Sequence, residues 1–126
     1  MEPSQPLSFD DVRALAAALP EVSERLCYGT PTLFVRKVVL ARLREDGRTL
    51  AVKCELDERE FLLETRPETF FITDHYLSSR MVLVNLDRVG RAELGGLLER
   101  AWEMVAPRRL AASRRAAVAR EPGFED

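Results

Sequence analysis

Val38-Val39-Leu40-Ala41-Arg42-Leu43-Arg44, Glu45-Asp46-Gly47-Arg48, Thr49-Leu50-Ala51-Val52-Lys53-Cys54: two short apolar-rich runs flank a loop with an Asp-Gly turn signal, the pattern of a β-hairpin. Strand residues alternate faces. In the first run Val39, Ala41 and Leu43 form an apolar face, which turns Arg42 and Arg44 the other way. In the second, Leu50, Val52 and Cys54 suit a core, leaving Thr49, Ala51 and Lys53 opposite. The hairpin is thus predicted to have one face for a core and one that is cationic.

Outward from it, Thr32 to Val35 reads as a short strand joined to the hairpin by a tight turn at Arg36-Lys37. Phe70 to Thr73 and Met81 to Leu86 make a second strand pair, with Asp74 to Arg80 between them. Three helix starts punctuate these strands. In Leu7-Ser8-Phe9-Asp10-Asp11-Val12, Ser8 caps, Asp11 stands at N3, and Leu7 staples Val12; Pro20 ends that run. In Leu56-Asp57-Glu58-Arg59-Glu60-Phe61, Asp57 caps and Leu56 staples Phe61. In Val89-Gly90-Arg91-Ala92-Glu93-Leu94, Gly90 caps, and Leu94, Leu97, Leu98, Ala101, Trp102 and Val105 continue as one apolar stripe. Gly95 and Gly96 inside that stripe suggest close approach of another element. Pro107 breaks the helix, and Arg108 to Arg120 reads as a further basic helix. Strand clusters joined by short turns, with helices between them, predict an α+β fold. It has two layers, an antiparallel sheet packed on one face by helices, in the order α-β-β-β-α-β-β-α with a C-terminal helical extension.

At 126 residues the chain has the length of a single domain, residues 1–126, with a core over about 8–110 and the basic helix over about 108–120. Its longest small or apolar run, Ala14 to Leu19, is far short of the ~20 residues of a membrane helix. Met1-Glu2-Pro3 carries no apolar h-region, so the cytoplasm is the expected compartment. Cys27 and Cys54 are too few for a disulfide framework and are expected reduced. The net charge of −2 argues against a generally basic nucleic-acid binder, but it hides an uneven distribution. Residues 36–53 hold six basic against two acidic residues and residues 100–120 six against one, whereas residues 55–74 hold two against seven. Either these segments pair with one another, or the basic ones face an anionic partner.

Tyr28-Gly29-Thr30-Pro31 with Phe34, Ala41-Arg42-Leu43 leading to Asp46-Gly47, then Lys53 and Glu58-Arg59 form an ordered set. Phe70-Phe71-Ile72-Thr73 with His75-Tyr76, Val82-Leu83-Val84, and Trp102 with Val105-Ala106-Pro107-Arg108 extend it. Over about residues 8–110 this set resembles the MmcQ/YjbR-like family of small bacterial proteins. The resemblance implies the two-layer α+β fold and, by the family's customary label, DNA binding. That fold is similar to the one of secretion chaperones, whose sheets bind protein segments. The chain departs from the family after His75-Tyr76, where Leu77-Ser78-Ser79-Arg80-Met81 replaces a glycine and an aromatic.

Two sets of candidate residues follow. Arg36, Lys37, Arg42, Arg44, Arg48 and Lys53, with Arg108 and Arg109, are candidates for phosphate contact; the bland reading is an open sheet face that needs polar residues anyway and, for Arg108 and Arg109, a solvated helix whose cations complement its dipole. Tyr28, Thr30, His75, Tyr76 and Arg80 are candidates for a ligand rim, with Tyr28 as a stacking platform. The bland reading there is a rigid turn whose Tyr28 and Phe34 pack the core edge. Glu60 and Glu64 read as a solvated helix face. A lone histidine cannot build a metal site, no Gly-rich phosphate loop occurs, and no nucleophile–base spacing is recognisable. The sequence therefore predicts a binding module with no catalytic residues, metal or cofactor, an enzyme with a pocket over Tyr28 and His75 being the last alternative. DNA is the expected partner, and a protein or small molecule the alternative.

Overall fold

The Glu45–Arg48 loop closes the central hairpin as its sequence requires. In the computed structural model, which describes residues 6–119, the Asp46 carboxylate accepts the Arg48 and Thr49 N–H groups at 2.9 Å and the Thr49 hydroxyl at 2.8 Å. Gly47 takes φ +71°, the left-handed geometry that favours glycine. The strands so joined are β3 (Val38–Leu43) and β4 (Thr49–Lys53). With β1 (Val22–Cys27), β2 (Thr30–Val35), β5 (Phe70–Phe71) and β6 (Met81–Asn85) they form a six-stranded antiparallel sheet, ordered β1-β2-β3-β4-β6-β5. Four helices, α1 (Phe9–Ala16), α2 (Leu56–Thr65), α3 (Arg91–Val105) and α4 (Arg108–Ala119), complete the α+β architecture.

Strand β1 adds an element to the expected order. Its residues, Val22-Ser23-Glu24-Arg25-Leu26-Cys27, are largely exposed because it is an edge strand, paired only to β2. Tyr28 and Gly29 link the two strands with φ +53° and +81°, the signs a type I′ hairpin turn demands. Tyr28-Gly29 is therefore a hairpin tip, with Cys27 paired to Thr30 across it.

A β-bulge changes one facing. Leu33 pairs with Ala41 but Phe34 pairs with Val39, so Leu40 is the extra residue. Leu40 and Ala41 both reach the helix-side core, and Val39 pairs across from Phe34 on the other face. The expectation that Val39 joins Ala41 and Leu43 in the core is thereby corrected. Arg42, Arg44 and Lys53 keep the facing the alternation assigned to them, since Leu43, Leu50 and Val52 sit on the core side.

That core buries Leu40, Leu50, Val52, Phe70, Val82 and Val84 of the sheet against Val12, Leu94, Leu97, Leu98 and Trp102 of α1 and α3. Asp11 accepts the Ser8 N–H at 2.8 Å at the start of α1, and Gly90 caps α3, both as the sequence indicates. At the start of α2 the cap is Glu55 rather than Asp57, and Leu56 and Phe61 are exposed rather than stapled. A Cβ on Gly95 would meet Leu15 Cδ2 at 3.4 Å, so α1 does approach α3 there, at ordinary van der Waals distance. Ala111 of α4 belongs to the same core, which places α4 in the helix layer. Arg120, expected to end that helix, lies outside the described residues.

Candidate functional site

One cross-strand row runs over the sheet face turned away from the helices. In register order it reads Arg25, Thr32, Arg42, Ala51, Leu83 and Phe71. Lys53 pairs with Met81 on the same face, and Arg44 follows Arg42 one pleat on. This face is not simply open and polar. Ala51, Leu83 and the ring of Tyr76 form a small second core, joined by Phe71, Ile72 and Met81. Tyr76 comes from a single 3₁₀ turn, Asp74–Tyr76, laid over the sheet.

Three guanidinium groups of this face stand over aromatic rings. Arg25 lies 3.9 Å from the Phe34 centroid, Arg42 5.2 Å from Tyr28, and Arg44 5.2 Å from Tyr76. Such contacts hold a cation in a fixed pose and leave its edge donors free for an anion. Arg42 and Arg44 share one carboxylate, Glu45, at 2.9 and 3.5 Å. Glu45 is held below the usual carboxylate range, first by its own backbone N–H and then by Arg42. The Arg44 Nε is buried and, although within ion-pair distance of Glu45, makes no hydrogen bond among the described residues. Lys53 and Arg25 have no carboxylate within 4.0 Å among the described residues.

The other candidates separate. Arg36 and Lys37 form the β2–β3 turn, where Arg36 pairs with Glu21 at 2.7 Å. Arg48, at the tip of the β3–β4 hairpin, pairs with Asp87. Arg108 and Arg109 begin α4, in the helix layer, on the opposite side of the sheet from Arg42. The two basic segments of the sequence therefore do not make one surface. Charges also pair between segments, as in Arg100 with Glu58 at 2.7 Å, and Arg80, outside both basic segments, pairs with Glu55 at 3.1 Å. Part of the uneven charge is thus self-neutralised.

Of the rim candidates, Tyr28 is 90% exposed and packs no core edge, whereas Phe34 is buried. Thr30 points its hydroxyl at the Cys27 carbonyl, 3.0 Å away, and so braces the turn. His75 is exposed and meets Tyr76 edge to face, with centroids 5.3 Å apart. Cys54 is buried, and desolvation pushes its thiol up to about 12, which disfavours the thiolate a nucleophile needs. Among the described residues no group of three or more His, Cys, Asp or Glu is placed to hold a metal.

Two residues of the structure were not site candidates on the sequence. Arg25 lies on the unrecognised edge strand, and only its place beside Tyr28-Gly29 could have flagged it. Arg59, 9% exposed, donates from Nη1 to the carbonyls of Tyr76, Ser79 and Met81 at 2.9–3.0 Å, and from Nη2 to Leu77 at 3.2 Å. It rivets the segment carrying Tyr76 to α2. Nothing in its acidic helix signals that role.

A crystal structure of the Deinococcus radiodurans protein DR2400, which carries a DUF419 domain, is similar with a TM-score of 0.69. The two share 22% identity, and the alignment covers 99% of this chain and 98% of that one. That likeness concerns the fold. No curated protein matches this sequence. No described helix is long and apolar enough to cross a membrane. A sequence model of the YjbR family, also called DUF419, matches residues 17–104, which span the sheet and most of α3, and the chain belongs to that family.

Proposed function

We propose that the protein is a small, non-enzymatic, cytoplasmic binding module that engages the sugar-phosphate backbone of nucleic acid on the outer sheet face. The supporting observation is the row of cations seated on rings: Arg25 on Phe34, Arg42 on Tyr28 and Arg44 on Tyr76, with Lys53 beside them. Phosphate contacts position a protein and need donors in fixed places. An antiparallel sheet face presents such donors as β-ribbon readers do. The overall charge of −2 limits the affinity that charge alone can give, so the contact is local rather than a basic coat. Arg108 and Arg109 stand on the other layer and are no part of this proposed interface.

Backbone amide shifts in a ¹⁵N-labelled sample titrated with a short oligonucleotide test the reading. Perturbations at Arg25, Thr32, Arg42, Arg44, Ala51 and Lys53 are expected. Shifts confined to Arg108, Arg109 and the helix layer, or none at low salt, would refute it.

A further inference from the structure

The Tyr28–Gly29 turn carries an unusual choice of residue. A type I′ turn needs positive φ at both central positions, and Asn or Gly fill the first because a bulky side chain is disfavoured there. Tyr28 holds φ +53° nonetheless. Among the described residues two other non-glycines share this geometry, Glu21 at +59° and Arg36 at +56°. Those two are tied together: the carboxylate of Glu21 takes the Arg36 guanidinium at 2.7 Å, and the Arg36 N–H donates to the Glu21 carbonyl at 3.5 Å. The Tyr28 ring has no such tie. It is 90% exposed, with the Arg42 guanidinium 5.2 Å from its centroid. Folding therefore gains little from this ring, and the turn is poorer for carrying it.

Outliers of this kind point to a surface task. The ring projects from the end of the sheet where Arg44 and the β3–β4 hairpin also lie, beside the cationic row. Phe34 and Tyr76, the other rings under arginines on this face, are buried, so Tyr28 alone among the three offers an open π surface. An anion with an accessible planar group matches a cationic row ending in an exposed aromatic. Unpaired nucleotides have both features. Duplex bases are already stacked on one another and expose only their edges.

We infer that the outer face takes single-stranded nucleic acid, with one unpaired base stacked on Tyr28 and the flanking phosphates on Arg42, Arg44, Arg25 and Lys53. This rests on the nucleic-acid reading above and narrows it. Arg42 has two roles here: it carries charge to the phosphate and holds the Tyr28 ring from one side, with its Nε directed to the Cys27 carbonyl at 3.5 Å.

The test compares the wild-type protein with Tyr28→Asn and Tyr28→Phe. Fluorescence anisotropy reads their binding to a labelled oligo-dT strand and to a duplex of equal length, at one fixed low salt concentration. Asparagine suits the turn, so folding is preserved, and Tm is expected to rise by ~4 °C or stay level. Oligo-dT affinity is expected to fall at least ~5-fold in Tyr28→Asn and to stay within about twofold in Tyr28→Phe, as base–aromatic stacking requires. Duplex affinity should fall by only about twofold in Tyr28→Asn, where Arg42 loses the ring beneath it, and should be unchanged in Tyr28→Phe. If Tyr28→Asn binds oligo-dT as the wild type does, or loses duplex and single strand alike, the inference is overturned while backbone binding stands. If the wild type binds neither nucleic acid, both readings fall together.

Discussion

Arg59→Met should destabilise the protein by about 3 kcal/mol, and the segment 74–81 should loosen first. Methionine keeps most of the aliphatic volume but removes every donor. A terminal guanidinium nitrogen carries two hydrogens, so the three carbonyls at Nη1 share two protons, and Nη2 adds one more bond. That is three full hydrogen bonds from a charged donor, each worth about 1.5 kcal/mol at the low end of the charged range. Against this gross loss of ~4–5 kcal/mol stands relief from holding a charge at 9% exposure, about 1–2 kcal/mol for a group already well solvated by carbonyls. With a urea m-value of about 1.5 kcal/mol/M, the unfolding midpoint should move down by ~2 M. Limited proteolysis should then cut between residues 77 and 80 in the variant before global unfolding. Arg59→Lys, which can reach fewer of the four carbonyls, should fall between the two. A midpoint for Arg59→Met within about 0.3 M of the wild type, with no new cleavage, would refute the argument that this side chain secures the segment.

Arg59 also shows where sequence reasoning stops. An arginine among glutamates on a helix reads as one member of surface ion pairs, and only tertiary structure shows it entering a ring of carbonyls. The β3–β4 hairpin was legible because its Asp-Gly turn and its alternation agree; so were α1 and α3, with their capping residues and apolar stripes. Strand β1 was not, because an edge strand is free to be polar on both faces, and Ser23-Glu24-Arg25 has no apolar rhythm. The bulge at Leu40 was equally hidden, since the run Val38-Val39-Leu40-Ala41 is apolar throughout and fits either facing. For the site, alternation gave the facing of Arg42, Arg44 and Lys53. It could not show that Arg108 and Arg109 belong to the other layer, because that depends on where α4 docks.

Other outcomes follow from the same contacts. Glu45 competes with any phosphate for Arg42 and Arg44, so Glu45→Gln should tighten nucleic-acid binding ~3- to 10-fold in a low-salt titration; weaker binding would contradict this role. Cys54, buried and with its thiol raised to about 12, should react with Ellman's reagent far more slowly than Cys27 at pH 8, so two equal fast phases would contradict its burial. Acid stability should follow the carboxylates held by donors. Arg13 holds Glu24, and the Ser8 N–H followed by Arg91 holds Asp11, below their ordinary values of 4.5 and 3.8. The unfolded chain then takes up protons first. These contacts contribute fully above about pH 5 and are lost as the pH falls through the depressed native values. Urea midpoints should be level from pH 7 to 5 and decline below about 4; a decline already complete by pH 5 would contradict it.

In the proposed interface a few placed cations on the outer sheet face hold nucleic-acid backbone. The salt dependence of duplex binding by the wild type and by Arg42→Ala/Lys53→Ala tests this. Four phosphate contacts, from Arg25, Arg42, Arg44 and Lys53, give a log–log slope of about −3.6, and removing two should bring it to about −1.8. An unchanged slope in the double variant, or binding of neither duplex nor single strand by the wild type at 50 mM salt or below, would contradict it.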